Sequence, residues 1–359
     1  MISNHSTMNS QQGATLVVAL TVVMVVGLLA TSVSYEFLNM TRRVENQTEA
    51  RQVKSYLVAA ESVARQVLLE DIRLSPELDY GLEPWARPLN LELPIGIINA
   101  CMVDLQGKLN LNDMASPADD GYSPEQRRFI RLLQVLDLDN PLTQSEAIAL
   151  ANAVFDWVDP DSSQRFPGGA EDLYYYQQET AGKAANQRFA SVSELRLVRG
   201  MTGEIYSALT PHVTLWGNGE LNLNSADAAL NKERLEGNFV LNDLPPPVIL
   251  RTLNAESQLQ PQTEDLAMQM INNRINSGGF RSLDFLDQGK SGVLQIAKEG
   301  LGLTSGYFNL VSELEVGNRR YQMQAVLYRY VDDLGIPGVR TVERKILDQR
   351  IEMDDFCVN

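Results

Sequence analysis

The sequence predicts an α+β protein in which a long N-terminal helix leads into an antiparallel sheet, and a large helical segment is inserted between the first and last strands of that sheet. Three observations predict it. Residues 1–35 contain no Asp, Glu, Lys or Arg, and neither Gly nor Pro breaks the helical pattern from residue 28 to 75. Strand-like runs occur at residues 95–105 and again beyond residue 306, with helix-patterned sequence between them. A Gly317-Asn318 pair flanked by Val-, Leu- and Tyr-rich runs is a strong hairpin signal. Strands, then helices, then strands in one chain is an α+β order.

The elements follow in order. Residues 14–34 (ATLVVALTVVMVVGLLATSVS) are almost continuously apolar, and as a helix they span about 30 Å, the thickness of a bilayer's hydrocarbon core. A cleaved secretory signal is the competing reading, with Ser32-Val33-Ser34 as small residues for a cleavage site. Its apolar region normally runs only about 7 to 15 residues, which favours a retained span. The helix continues through residues 35–75, where Val53, Tyr56, Leu57, Ala60, Val63, Ala64, Val67 and Leu68 recur at three- and four-residue intervals as one apolar face. Pro76 supplies the first breaker, so residues 14–74 read as one rod of about 90 Å.

Residues 76–115 hold the first part of the sheet. Residues 78–94 read as a Pro- and Leu-rich connection, 95–105 as a strand, and Gln106-Gly107 as a turn. Leu109-Asn110-Leu111-Asn112-Asp113 alternates apolar and polar, and a near copy stands at Leu221-Asn222-Leu223-Asn224-Ser225. Both read as short half-buried strands. The inserted α-domain covers residues 116–305, with helices expected at 124–136 and 144–158. Residues 306–359 complete the sheet with strands at 307–316, 319–331 and about 341–351.

Composition removes several functions. Acidic residues outnumber basic ones 46 to 30, for a net charge of −16, and such a surface repels phosphate backbones, so no nucleic acid is expected. The two histidines, His5 and His212, are too few for a three-histidine zinc site, and His212, beside Pro211, reads as a structural histidine. No GxSxG or GxGxxG occurs, and Gly289-Lys290-Ser291 lacks the earlier glycine of a P-loop. No enzyme is expected. Cys101 and Cys357 lack CxxC spacing, so they are either free thiols or one long-range disulfide in an oxidising compartment.

One cluster carries metal chemistry. Asp156, Asp159, Asp161, Glu171 and Asp172 place five carboxylates within 17 residues around Pro160, Pro167, Gly168 and Gly169, and hard cations such as calcium take six to eight oxygens. Asp159, Asp161 and Ser163 mimic the start of an EF-hand, but Gln164 replaces its glycine and Ala170 occupies the twelfth position. The remaining alternatives are a loop-type calcium site and a solvated acidic loop capping the preceding helix. Residues 191–202 resemble a helix-hairpin-helix turn, and residues 279–286 resemble the start of a second such unit, of the kind also called SAM-like.

Family resemblance starts at Gly13-Ala14, since a Gly placed directly before an apolar spanning helix is similar to the prepilin signal cut by prepilin peptidase, leaving residues 1–13 as a leader. Most pilins have Glu at the fifth mature position, whereas this chain has Val18. One class lacks that Glu, the K-type minor pseudopilin of type II secretion systems (the GspK family). Residues 104–112 (DLQGKLNLN), 155–159 (FDWVD), 169–175 (GAEDLYY) and 191–202 (SVSELRLVRGMT) resemble it in order along nearly the whole chain.

The resemblance implies a pilin-like helix and sheet with an inserted α-domain, calcium in that domain, and methylation of the new amino terminus. It further implies a single-pass protein of the bacterial inner membrane with its large C-terminal part in the periplasm, at the tip of the pseudopilus. The partners it implies are the I- and J-type minor pseudopilins, prepilin peptidase and the inner-membrane platform of the secretion system. Two other readings stay open: a minor pilin of a type IV pilus or competence system, and a membrane-anchored metal-dependent hydrolase.

Overall fold

The computed structural model describes residues 8–115, 121–178, 182–227, 246–287 and 296–347. The chain divides into two units, Met1–Val58 and Ala59–Asn359. In the first, the described structure is helix α1 (Met8–Leu74), which continues into the second. Gly13, Ala14 and Val18 all fall within α1. Apolar side chains from Leu16 to Met40 are exposed. The hydroxyls of Thr21, Thr31 and Ser34 donate to the carbonyls of Val18, Leu28 and Ala30 within the same helix. Apolar side chains outward and polar atoms satisfied inward is what a lipid environment requires of a helix. Among the described residues, α1 alone is long and apolar enough to cross a membrane.

In the second unit, the last turns of α1 lie on a five-stranded sheet. Strands β1 (Leu89–Leu93), β2 (Gly96–Asp104), β7 (Tyr307–Val316), β8 (Arg319–Val331) and β9 (Pro337–Leu347) pair in that order, each antiparallel to its neighbour. Register sets the faces: Ala100, Met102, Phe308, Leu310, Ala325 and Leu327 pack with Ala64 and Leu68 of α1 and with Trp85. Trp85 meets Phe308 edge to face at 5.0 Å. Ala60, Ala64 and Leu68 repeat every four residues, so one helical face is buried. A fully buried leucine such as Leu68 contributes roughly 1.5–3 kcal/mol. Glu61 is buried on the same side, where its carboxylate accepts from Arg344 Nε at 2.6 Å, Arg344 Nη2 at 2.8 Å and Thr341 Oγ1 at 2.5 Å. That clamp ties α1 to β9, the edge strand.

Several expectations need correction here. Val63 is 51% exposed, so the buried stripe is narrower than the apolar pattern: Val63 sits about 60° round the helix from Ala60, beyond the line of contact. Residues 78–94 contain β1, which the prolines concealed; it pairs with β2 from Leu89↔Ala100 to Leu93↔Gly96. The helix expected at 124–136 is α2 (Pro124–Leu133), and the last strand begins at Pro337. The strands at 307–316 and 319–331 are as the sequence reads, joined by Gly317 at φ +59°.

Between β2 and β7 the chain makes the helical region. Helices α2 and α3 (Gln144–Val158) start with reciprocal capping boxes, Ser123 with Gln126 and Thr143 with Glu146. The two copies of the Leu-Asn repeat form two-residue strands in parallel pairs: β3 (Leu109–Asn110) with β4 (Val213–Thr214), and β5 (Leu221–Asn222) with β6 (Leu301–Gly302). Asn112, Asn222 and Asn224 are buried rather than solvent-facing, and Asn110 is half-buried. Asn112 Nδ2 donates to Leu215 O and Phe189 O, while its Oδ1 accepts from Phe189 N. Asn224 repeats this with Leu303, Phe280 and Phe280 N. Each asparagine thus pins a far segment of its own half, an internal duplication. Arg131 joins the halves, donating to the carbonyls of Thr252, Ala255 and Gln258.

Cys101 lies buried on β2 and is disulfide-bonded. Cys357, the partner considered above, lies outside the described residues, as does Gly289-Lys290-Ser291.

Candidate metal centre

Helix α3 ends because Asp159 leaves the helical conformation at its C-cap, with ψ 153°, and Pro160 follows. A loop then returns to helix α4 (Asp172–Tyr176), whose N-cap is Glu171. The end of one helix and the start of the next bring the acidic residues together. Oxygens of Asp159, Asp161 and Glu171 lie within 4.8 Å of one another. Asp159 and Glu171 are buried, and Asp161 is exposed at the rim. Asp159 Oδ1 and both carboxylate oxygens of Glu171 are buried with no hydrogen-bond donor. Leaving buried carboxylate oxygens unpaired costs free energy that a bound cation removes. The donor set, all hard oxygen, fits calcium.

The other two acidic residues do different work. Asp156, in the last turn of α3, accepts from the backbone N–H of Arg165 at 3.1 and 3.2 Å. Gly169 passes so close that a Cβ there would stand 2.2 Å from Asp156 Oδ2. Asp156 therefore anchors the loop. Asp172 accepts from Ala184 N at 3.1 Å, fastening the segment after α4. Arg165 supplies the cationic charge here, its Nε lying 3.6 Å from Asp159 Oδ2 and 3.8 Å from Asp156 Oδ1. Arg199 also reaches the loop, donating to Gly169 O at 3.1 Å, but the five carboxylates still outnumber these two guanidinium groups and leave a surplus of negative charge. Burial, then the neighbouring Asp156, Asp159, Asp161 and Asp172, push the Glu171 carboxyl up to about 7. Burial above all raises Asp156 to about 6.

Sequence reasoning missed Asn186. It adopts φ +46°, donates its Nδ2 to Asp161 O at 2.9 Å and its backbone N–H to Trp157 O at 3.0 Å. Its Oδ1 is buried without a donor. An isolated Asn 14 residues beyond the last carboxylate carries no periodic signal; only the fold reveals it. His212 is half-buried, its pKa lowered by burial. The first helix-hairpin-helix-like segment is a 3-10 turn at Val192–Leu197, Gly200 at φ +81°, and helix α5 (Gly203–Leu209). The second comprises helix α6 (Glu264–Ser277), Gly278 and Gly279 at positive φ, and a 3-10 turn at Leu283–Asp287. Leu195, Ile205, Leu209, Met270 and Ile271 of these segments belong to the hydrophobic core, so packing accounts for them.

Known proteins place this architecture. The family described as Type II secretion system (T2SS), protein K matches residues 107–218, a stretch that contains the acidic loop. Type II secretion system protein K of Aeromonas hydrophila is 28% identical over 335 residues, covering 90% of this chain and 94% of that protein. The Klebsiella pneumoniae protein of the same name is 29% identical, covering 91% and 95%. Among solved structures, a chain of the GspK-GspI-GspJ complex from enterotoxigenic Escherichia coli superposes with a TM-score of 0.59 at 24% identity, covering 86% of this chain and all of that one. A long helix and an antiparallel sheet interrupted by a large helical region, and relatives that share one name along nearly their whole length, lead to one conclusion: this chain is similar to type II secretion system protein K over about nine-tenths of its length.

Proposed function

We propose that the protein caps or initiates the pseudopilus as a single tip subunit, anchored by α1 in the inner membrane with its second unit in the periplasm, and supports protein export from there. The observation that carries this reading is the interruption of the sheet: all of residues 105–306 lie between β2 and β7. Repeated at every subunit, an insertion of that size would obstruct helical stacking; at a filament end it has room. Val18 supports the same placement. A subunit without an acidic residue there offers no countercharge to a neighbour's amino terminus, and a buried unpaired charge is costly.

The heterotypic partners of this reading are I- and J-type minor pseudopilins, the proteins that accompany GspK in the solved complex. Prepilin peptidase cuts between Gly13 and Ala14, and the secretion platform receives the mature subunit. Calcium, held by Asp159, Asp161 and Glu171 with Asn186 beside them, is structural: it neutralises the loop and fixes the junction of α3 and α4.

Co-purification of the full chain with the I- and J-type subunits tests the reading. Val63, apolar and exposed on the helix, is available to a partner. Val63→Asp is expected to reduce recovery of the partners at least severalfold while the α-domain melts as in the wild type. A homopolymer of this chain alone, or unimpaired secretion without the gene, refutes the tip assignment.

A further inference from the structure

The second unit contains another group of carboxylates, remote in sequence from the acidic loop. Asp71 stands in the last turn of α1, and Asp79 and Glu83 follow within the connection to β1. One carboxylate oxygen from each lies within 4.8 Å of the others. Arg329 on β8 is the cation among them: its Nη1 donates to Asp71 Oδ2 at 2.7 Å, its Nη2 donates to Asp79 Oδ2, and it also reaches Ser305 O. Glu83 Oε2 is taken by the backbone N–H of Tyr80 at 2.8 Å and by Trp85 Nε1 at 3.1 Å. Asp79 is fully buried, and its other oxygen, Oδ1, has no donor at all.

The charges do not balance. Three carboxylates face one guanidinium, a deficit of two positive charges in a region where Asp71, Asp79 and Arg329 are each buried. The C-terminal carbonyls of α1 add partial negative charge on the same side.

We propose that Asp71, Asp79 and Glu83 form a second site for a hard divalent cation, calcium in the periplasm, which locks the end of α1 to the sheet through Arg329. The ion balances the deficit and takes the orphaned Asp79 Oδ1, with water and backbone carbonyls completing its shell. This site stands independently of the acidic loop.

Terbium binding to the full chain in detergent tests it, because Trp85 touches Glu83 and is placed to sensitise terbium emission. In an Asp159→Asn, Glu171→Gln background, one equivalent is expected to bind, with emission excited through tryptophan and displaced by calcium. Glu83→Gln keeps an acceptor for Tyr80 and Trp85 and leaves the Arg329 pairs intact; it is expected to weaken binding at least tenfold while near-UV circular dichroism is unchanged. Trp85→Phe is expected to abolish sensitised emission but keep the bound equivalent by equilibrium dialysis. Absence of that equivalent in the background variant, or binding indifferent to both Glu83→Gln and Asp79→Asn, overturns the proposal and leaves protons as the balancing charge.

Discussion

Removal of the calcium proposed for the acidic loop is the perturbation with the most to read. Without an ion, Asp159, Asp161 and Glu171 face one another within 4.8 Å, and Arg165 offsets only part of their charge. Both Glu171 and Asp156 have folded pKa values, about 7 and about 6, above their ordinary 4.5 and 3.8. A raised carboxyl contributes stability that is present below its unfolded pKa and lost as pH rises through the folded value. The metal-free protein is therefore expected to lose stability between about pH 4 and about pH 7. A cation at a hundred times its dissociation constant adds about 2.7 kcal/mol. For a domain of about 150–250 residues, the size range of the inserted helical region, each kcal/mol moves Tm by about 2–4 °C, which gives a shift of about 5–11 °C near neutrality. Near pH 5 protons compete for the same oxygens, and the shift is expected to shrink. Scanning calorimetry of the full chain in detergent, with calcium or with chelator, measures this. Asp159→Ala and Glu171→Ala are expected to abolish the shift, and Asp332→Ala, in an exposed turn, to keep it. Equal melting with ion and with chelator at neutral pH refutes the calcium reading.

Three other outcomes are expected. The mature chain starts at Ala14, and Gly13→Ala blocks processing; mass spectrometry that finds Tyr35 as the first residue would establish a secretory signal instead. Gly169→Ala drives a Cβ to 2.2 Å from Asp156 Oδ2 and 2.5 Å from Arg165 O, and is expected to destabilise by about 1–3 kcal/mol and to weaken calcium binding, read by calorimetric titration. Glu61→Ala removes the clamp on Arg344 and Thr341, at roughly 1.5–3 kcal/mol in urea unfolding. Burial opposes ionisation of Glu61, but the bonds from Arg344 and Thr341 win and lower its pKa. Its contribution is thus present above its unfolded pKa and lost as pH falls through the lower folded one, so the variant is expected to show a flatter acid limb; an unchanged limb contradicts the clamp.

Sequence patterns revealed elements whose periodicity was local and concealed those fixed by distant partners. The hairpin at Gly317, helix α3 and the boundaries of β7 and β8 each follow from alternation, caps and a turn within a few residues of one another. Strand β1 was hidden because its sequence, between Pro88 and Pro94, satisfies its hydrogen bonds only through β2. The Leu-Asn repeats were visible as copies, yet alternation implied a half-exposed strand. Only the tertiary structure shows Asn112 and Asn224 spending their amides on Phe189 and Phe280, far along the chain. The acidic loop was legible for a related reason: Asp159, Asp161 and Glu171 are close in sequence, whereas Asn186 and the Asp71, Asp79, Arg329 group are assembled across the fold. Proximity in sequence is what a linear reading detects. An ion pair made with a residue 258 positions away, as Arg329 is from Asp71, leaves no trace in composition, because each residue alone has the ordinary look of a solvated surface group. Their burial turns that ordinary set into a constraint, and it does so at the point where the anchoring helix ends and the sheet that presents the helical region begins.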